Sequence, residues 1–170
     1  MSGLFVPISG PVVGSTAYCE NVLVARDVNF SLPEIAPFVA ELQATGNLSM
    51  PVWSLIEALE TAITKIGVDK GMGRLIKPDM KPLEFRWVHT VTDANGVTKN
   101  AGCKAFIKGI PANIPALSVA MGEAIEGEVR IATTRYALFV DGQEYILIDK
   151  LSGIVRIMGK DYAKGVSALL

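Results

Sequence analysis

His89 is the single histidine of this 170-residue chain, and any acid-base or nucleophilic chemistry would have to be organised around it. It lies in a β-prone run between Val88 and Val91. A Ser-His-Asp or Cys-His site needs a nucleophile in reach of that imidazole. No serine stands in a Gly-x-Ser-x-Gly turn, and neither Cys19 nor Cys103 sits in a comparable context. Cys19, Cys103 and His89 also lack the paired spacing of a zinc set. Gly71-Met72-Gly73-Arg74 superficially matches a phosphate loop, but Ile76 takes the place of the third glycine and no Lys-Ser/Thr follows, so a helix cap is the better reading. Glu57 and Glu60 would point to opposite faces of a strand and read as solvated charge. The expectation is no catalytic residue, no metal ligand and no cofactor site.

Composition narrows the classes further. Sixteen basic against seventeen acidic side chains give a net charge of −1, with no Lys/Arg cluster in the sequence to neutralise a row of phosphates, which disfavours tight nucleic-acid binding. Half of the residues are hydrophobic, yet no window approaches the ~18 uninterrupted apolar residues of a membrane helix. The excess apolar surface is therefore expected to meet protein. The first residues lack a basic segment followed by a long apolar run, so no secretory signal is read and cytoplasmic synthesis is expected. Two distant cysteines make no disulfide there.

The elements that would position any site form one domain over 1–170. Residues 1–17, with Pro7, Gly10, Pro11 and Gly14, read as an N-terminal arm unable to sustain helix or a long strand. Residues 21–32 alternate as a strand broken near Arg26-Asp27. Residues 38–43 suit a helical turn or a strand equally. Residues 44–55 read as a loop carrying an apolar patch at Leu48, Met50 and Val52, able to tuck onto its own core or to meet a neighbour. Over 56–66, Ile56, Leu59, Ile63 and Ile66 recur at helical spacing. Asp69 can cap a short helix through Ile76, which Pro78 must stop. Residues 83–92 turn at Asn95-Gly96 into 97–108, where Cys103, Ala105 and Ile107 face one way and Lys104, Phe106 and Lys108 the other. A long strand over 126–140 follows.

The richest segment is 136–162. Asp141-Gly142 suits a two-residue type I′ turn, because both central residues need positive φ. Its register would set Phe139 opposite Glu144, Leu138 opposite Tyr145, Ala137 opposite Ile146 and Tyr136 opposite Leu147. One face would then carry Tyr136, Leu138, Val140, Tyr145 and Leu147, and the other Ala137, Phe139, Ile146 and Ile148. Neither face is made for water, so one should meet a sandwich core and the other a second cover. With seven or eight strands and one short helix, the chain reads as mainly β, an antiparallel β-sandwich or partly closed barrel.

Through Tyr136, the run from Leu138 to Val140, Asp141-Gly142, Ile148-Asp149, 151–157 and Gly159-Lys160-Asp161, this segment resembles the major tail tube proteins of contractile-tailed bacteriophages and related phage-tail-like particles. The resemblance runs with gaps over 21–165, taking in Asp27-Val28-x-Phe30-x-Leu32-Pro33 and the stretch 56–67 before Asp69. It departs before Tyr18 and around Gly46. It implies that 56–66 is a strand despite its helical spacing, and that the helix after Asp69 is the single one. It implies a structural subunit of the virion tail, assembled in the host bacterial cytoplasm. Hexameric rings with joined inner sheets would stack into a conduit for DNA ejection. The implied partners are other copies of the chain, the tail sheath, tape measure, baseplate and tail-terminator proteins, with DNA passing unbound and no membrane involved. Gly46, Leu48, Met50 and Val52 are then candidate inter-ring contacts. Tyr136, Leu138, Phe139, Ile146 and Ile148 would divide between subunit core and ring contact. The alternatives are the tube of a phage-tail-like bacteriocin or injection system, a small-molecule-binding barrel, and an enzyme centred on His89.

Overall fold

Alternating apolar and polar side chains dictate strands along much of the chain, and the computed structural model, which describes residues 5–170, forms them. In order they are β1 (Ile8–Cys19), β2 (Val22–Arg26), β3 (Asn29–Ser31), β4 (Pro37–Ala44), β5 (Gly46–Ile56), β6 (Leu59–Ile66), α1 (Lys70–Ile76), β7 (Lys81–Thr92), β8 (Thr98–Pro111), β9 (Glu126–Val140), β10 (Gln143–Asp149), β11 (Ile154–Ile157), β12 (Lys160–Asp161) and the one-turn α2 (Lys164–Ser167). All strand pairs are antiparallel. The main sheet runs β12-β11-β10-β9-β8-β7-β1-β2, β6 joins β9 to β3, and β4 pairs only with β5. The sheet folds over as a sandwich and does not close into a barrel.

The doubling-over depends on β9. Its first half pairs with β6 and its second half with β10, while β8 runs along its other edge. Between the halves the register slips, from Lys108 opposite Arg135 to Gly109 opposite Thr133, leaving Thr134 as an extra residue. A bulge of this kind bends a strand and inverts its facing. Val129, Ile131 and Thr133 therefore point into the core before it, and Tyr136 and Leu138 after it. Gly109 permits the close approach, since a Cβ there would run into the carbonyl oxygen of Ala132.

Two rows of cross-strand neighbours build one inner wall. They are Cys19, Leu83, Ile107, Tyr136, Ile148 and Val155, and beside them Ala17, Phe85, Ala105, Leu138, Ile146 and Ile157. Leu59, Ile63, Val129 and Ile131 face them, with Met72 and Leu75 of α1. Phe30 of β3 bridges the layers, stacking on Phe85 at 4.7 Å and tilting against Trp87 at 5.7 Å. The buried Thr61 and Thr133 hydroxyls satisfy each other at 2.8 Å, as a polar pair inside a core must.

Several expectations hold. The strand of 21–32 is broken after Arg26, where Asp27 has φ 50°. Of residues 56–66, Leu59–Ile66 is strand, because Leu59, Thr61, Ile63 and Lys65 all bury on one side, so tertiary packing overrides the helical spacing. Asp69 caps α1, accepting the Met72 N–H at 3.0 Å, and this bond, with Lys65 at 3.2 Å, holds its carboxyl below the ordinary Asp range.

Others need correction. The arm expected over 1–17 is largely β1, in which Gly10, Pro11 and Gly14 are accommodated by register shifts between Ser9 and Val12 and between Val12 and Gly14; residues 1–4 lie outside the described residues. A proline at a bulge removes no ladder bond, which is why this strand survives it. The loop expected over 44–55 is instead the turn and second strand of the β4–β5 hairpin. In the hairpin of β9 and β10, Asp141 and Gly142 do have positive φ and Phe139 does oppose Glu144. One residue later the register shifts, so that Leu138 opposes Ile146, Ala137 opposes Leu147 and Tyr136 opposes Ile148. That extra residue in β10 moves Ile146 and Ile148 to the face of Tyr136 and Leu138, and Leu147 to the face of Ala137 and Phe139.

Candidate functional site

Among the described residues the reactive groups do not converge on a catalytic set. His89 and Cys103, diagonal neighbours on β7 and β8, bring Nδ1 and Sγ to 3.5 Å. The thiol is 3% exposed and burial pushes its pKa up, the opposite of what an attacking thiolate requires. Cys19 lies elsewhere, against the Arg74 carbonyl, and burial raises its pKa too. Among the described residues no three His, Cys, Asp or Glu side chains are placed to hold a metal ion, and no helix is long and apolar enough to cross a membrane. Glu57 and Glu60 are exposed. Gly71 serves packing, since a Cβ on it would stand 2.6 Å from the Val24 carbonyl oxygen.

Lys81, which carried no signal in the sequence, closes the other end of α1. It is 2% exposed, and its ammonium donates to the carbonyls of Arg74, Leu75 and Lys77. A cation at a helix C-terminus satisfies orphan carbonyls and complements the dipole. Burial nevertheless pulls its pKa down.

One unpartnered apolar surface lies on the β4–β5 hairpin. Its register pairs Phe38 with Val52, Ala40 with Met50 and Leu42 with Leu48, all apolar and all on one face. The other face pairs Val39 with Pro51, Glu41 with Ser49 and Gln43 with Asn47. Gly46, at φ 107°, makes the turn. Phe38, Leu42, Leu48 and Met50 each remain about half exposed, at 49%, 49%, 49% and 45%. A lone two-stranded ribbon is marginal in water, so this one asks for a cover.

The second surface is the outer face of the main sheet. Tyr18, Glu84, Phe106, Ala137, Leu147 and Arg156 form one row across six strands, with Arg86, Lys104, Phe139 and Glu144 beside it. Phe106 and Phe139 meet edge to face at 5.6 Å. Glu84 and Arg86 pair at 2.6 Å, and Glu144 receives the Arg156 guanidinium at 2.8 Å. Glu84, Phe106, Ala137, Phe139, Glu144, Leu147 and Arg156, with Lys108 and Arg135, line a groove of about 420 Å³.

The sequence-derived candidates therefore separate. Gly46, Leu48, Met50 and Val52 stand together on the hairpin. Tyr136 and Ile148, 3% and 0% exposed, lie in the subunit's own core with Leu138 and Ile146 packed beside them. Burial raises the Tyr136 phenol to about 12. Phe139 alone of that set faces outward, into the groove. Sequence reading missed Phe38 and Leu42 as partners of Leu48 and Met50, and missed the irregular stretch 112–125, which exposes Ile114, Leu117, Val119 and Met121. The run of uncharged residues there was the available signal.

A search of curated proteins finds no match to this chain. The family described as phage tail tube protein FII matches residues 12–170, from within β1 through the C-terminal turn, and the chain belongs to that family.

Proposed function

We propose that this chain is the subunit of the inner tube of a contractile phage tail, closing into hexameric rings that stack into the conduit for DNA ejection. Family membership makes it a self-assembling structural component of a tail tube. One observation carries the finer reading: the β4–β5 ribbon has an apolar face that its own subunit leaves half uncovered. Burial of such a face between copies supplies the driving force of association.

Sheet edges support ring closure. β1 pairs with β7 on one side, but among the described residues its stretch before Thr16 has no strand on the other, and β12 ends the opposite side of the sheet. Edges of this kind favour pairing with another chain, and joining them around a closed ring removes them. Head-to-tail stacking of rings is open-ended, so length must be set by a partner such as a tape measure protein, with sheath, baseplate and terminator proteins completing the tail. Assembly takes place in the host bacterial cytoplasm. A net charge of −1 suits a lumen that lets DNA pass without holding it.

Purified protein at high concentration, viewed by negative-stain microscopy and sized by sedimentation, tests this. Six-fold rings or tubes are expected. A compact monomer at every concentration would overturn it and favour a small-molecule-binding domain. Tubes purified with a DNA-free particle would assign the chain to a bacteriocin or injection device.

A further inference from the structure

We infer that the groove on the outer face of the main sheet is a binding site for a compact organic carboxylate with an aromatic or branched apolar body. The carboxylate sits between Lys108 and Arg135, and the body lies on Phe106, Ala137, Phe139 and Leu147. The inference goes beyond assembly and does not depend on the tube reading.

Charge defines one end of the site. Lys108 and Arg135 stand directly opposite each other on β8 and β9, and both are exposed. Like charges in that position repel, and among the described residues neither has a carboxylate within ion-pairing distance. The groove does carry acids, but they are engaged: Glu84 accepts from Arg86 at 2.6 Å, and Glu144 accepts from Arg156 at 2.8 and 3.3 Å. Asp149, opposite Arg135 on β10, accepts the Leu151 and Ser152 N–H groups instead, at 3.1 Å each. Two uncompensated cations side by side, one of them a guanidinium fork, make a seat for a single carboxylate.

Apolar surface defines the other end. Two residues along the same face, Phe106 stands opposite Ala137, and Ala137 opposite Leu147. Phe139 lies two residues further and meets Phe106 edge to face at 5.6 Å. These four side chains floor the concavity of about 420 Å³ that Lys108 and Arg135 border, a size typical of small-ligand clefts.

Extended occupants meet obstacles here. At the groove β8, β9 and β10 each have a paired strand on both sides, so no free ladder groups await an added strand. A phosphate chain crossing the groove would pass Glu84 and Glu144, and like charges oppose that path. A single anion with an apolar body meets neither obstacle.

The test titrates naphthoate, and its neutral counterpart naphthamide, into the full-length chain below the concentration at which it assembles, followed by amide NMR. Naphthoate should give saturable shifts centred on β8 to β10 around the groove. Affinity should fall about tenfold or more for naphthamide, and for naphthoate with the Lys108→Gln/Arg135→Gln variant, because each loses the charged hydrogen bonds. Phe139→Ala should weaken both probes. Thermal melts of the charge variant should match or exceed the wild type, since a repulsive pair is removed; a destabilised variant would contradict the uncompensated state of the two cations. Equal affinity for the two probes, or naphthoate binding unchanged in the charge variant, overturns the inference. So do shifts that never saturate, or that centre on the exposed hairpin 37–56. Displacement of naphthoate by a short single-stranded oligonucleotide would assign the cations to nucleic acid and overturn it as well.

Discussion

Replacing Leu48 and Met50 together by serine should dissolve the assembly and spare the fold. Their exposures of 49% and 45% leave about half of each side chain for a neighbour to cover. Full burial of such a side chain is worth ~1.5–3 kcal/mol, so half of two comes to about 2 kcal/mol for each docked hairpin. That is roughly thirtyfold in an association constant, and it recurs at every subunit of a growing tube. Neither residue belongs to the core cluster, so unfolding free energy should move by less than ~0.5 kcal/mol. Pelleting across a concentration series measures the first quantity and urea melts of the dispersed protein the second. Gln43→Ser/Asn47→Ser, at the polar tip of the hairpin's other face, is the control and should change neither. Full-length tubes at the wild-type critical concentration would refute the reasoning. So would a loss of assembly matched by an equal loss of fold stability.

Three further outcomes follow from the core and the helix. Lys81→Met keeps the stem but removes three hydrogen bonds to the end of α1; after the relief of desolvating the ammonium, a net cost of about 2–3 kcal/mol is expected in a denaturant melt, and a change under ~0.5 kcal/mol would contradict the cap. Asp69→Ala should cost ~1 kcal/mol at neutral pH. Because the folded carboxyl titrates below the unfolded one, that stabilisation is full above the ordinary Asp value of ~3.9 and is lost as pH falls through the folded pKa. Melts of wild type and variant should converge in acid, and a constant gap would contradict the assignment. Gly71→Ala gains up to ~1 kcal/mol of helix propensity, yet its Cβ would meet the Val24 carbonyl at 2.6 Å; a net loss in a thermal melt is expected, and stabilisation would show that β2 can give way.

Local signals were legible where local chemistry decides. Asp69 at a helix start, Asp141-Gly142 at a turn, the alternation of 103–108 and the break at Asp27 all depend on neighbouring residues alone. The apolar patch at Leu48 and Met50 was legible too, although Pro51 and Gly46 disguised a hairpin as a loop. Bulges were not legible. The extra residues at Thr134 and in β10 exist because β9 must pair with β6 in one half and β10 in the other as the sheet folds over, a demand set by distant strands. One such residue inverted the facing of Ile146, Leu147 and Ile148 and changed which of them reach the surface. Lys104, Lys108 and Arg135 make no cluster along the chain and become neighbours only through the pairing of β8 with β9. Lys81 gave no signal in the sequence because its partners are backbone carbonyls, which no side-chain pattern records.

Burial of the β4–β5 hairpin between copies is most directly tested by amide hydrogen exchange over residues 37–56, compared between assembled tubes and dispersed subunits at equal pH and temperature. Slower exchange across both strands in the tube is expected, with the core strands β7 to β9 little changed. Exchange over 37–56 that is equally fast in tube and subunit would contradict the claim that the hairpin's apolar face is an assembly surface.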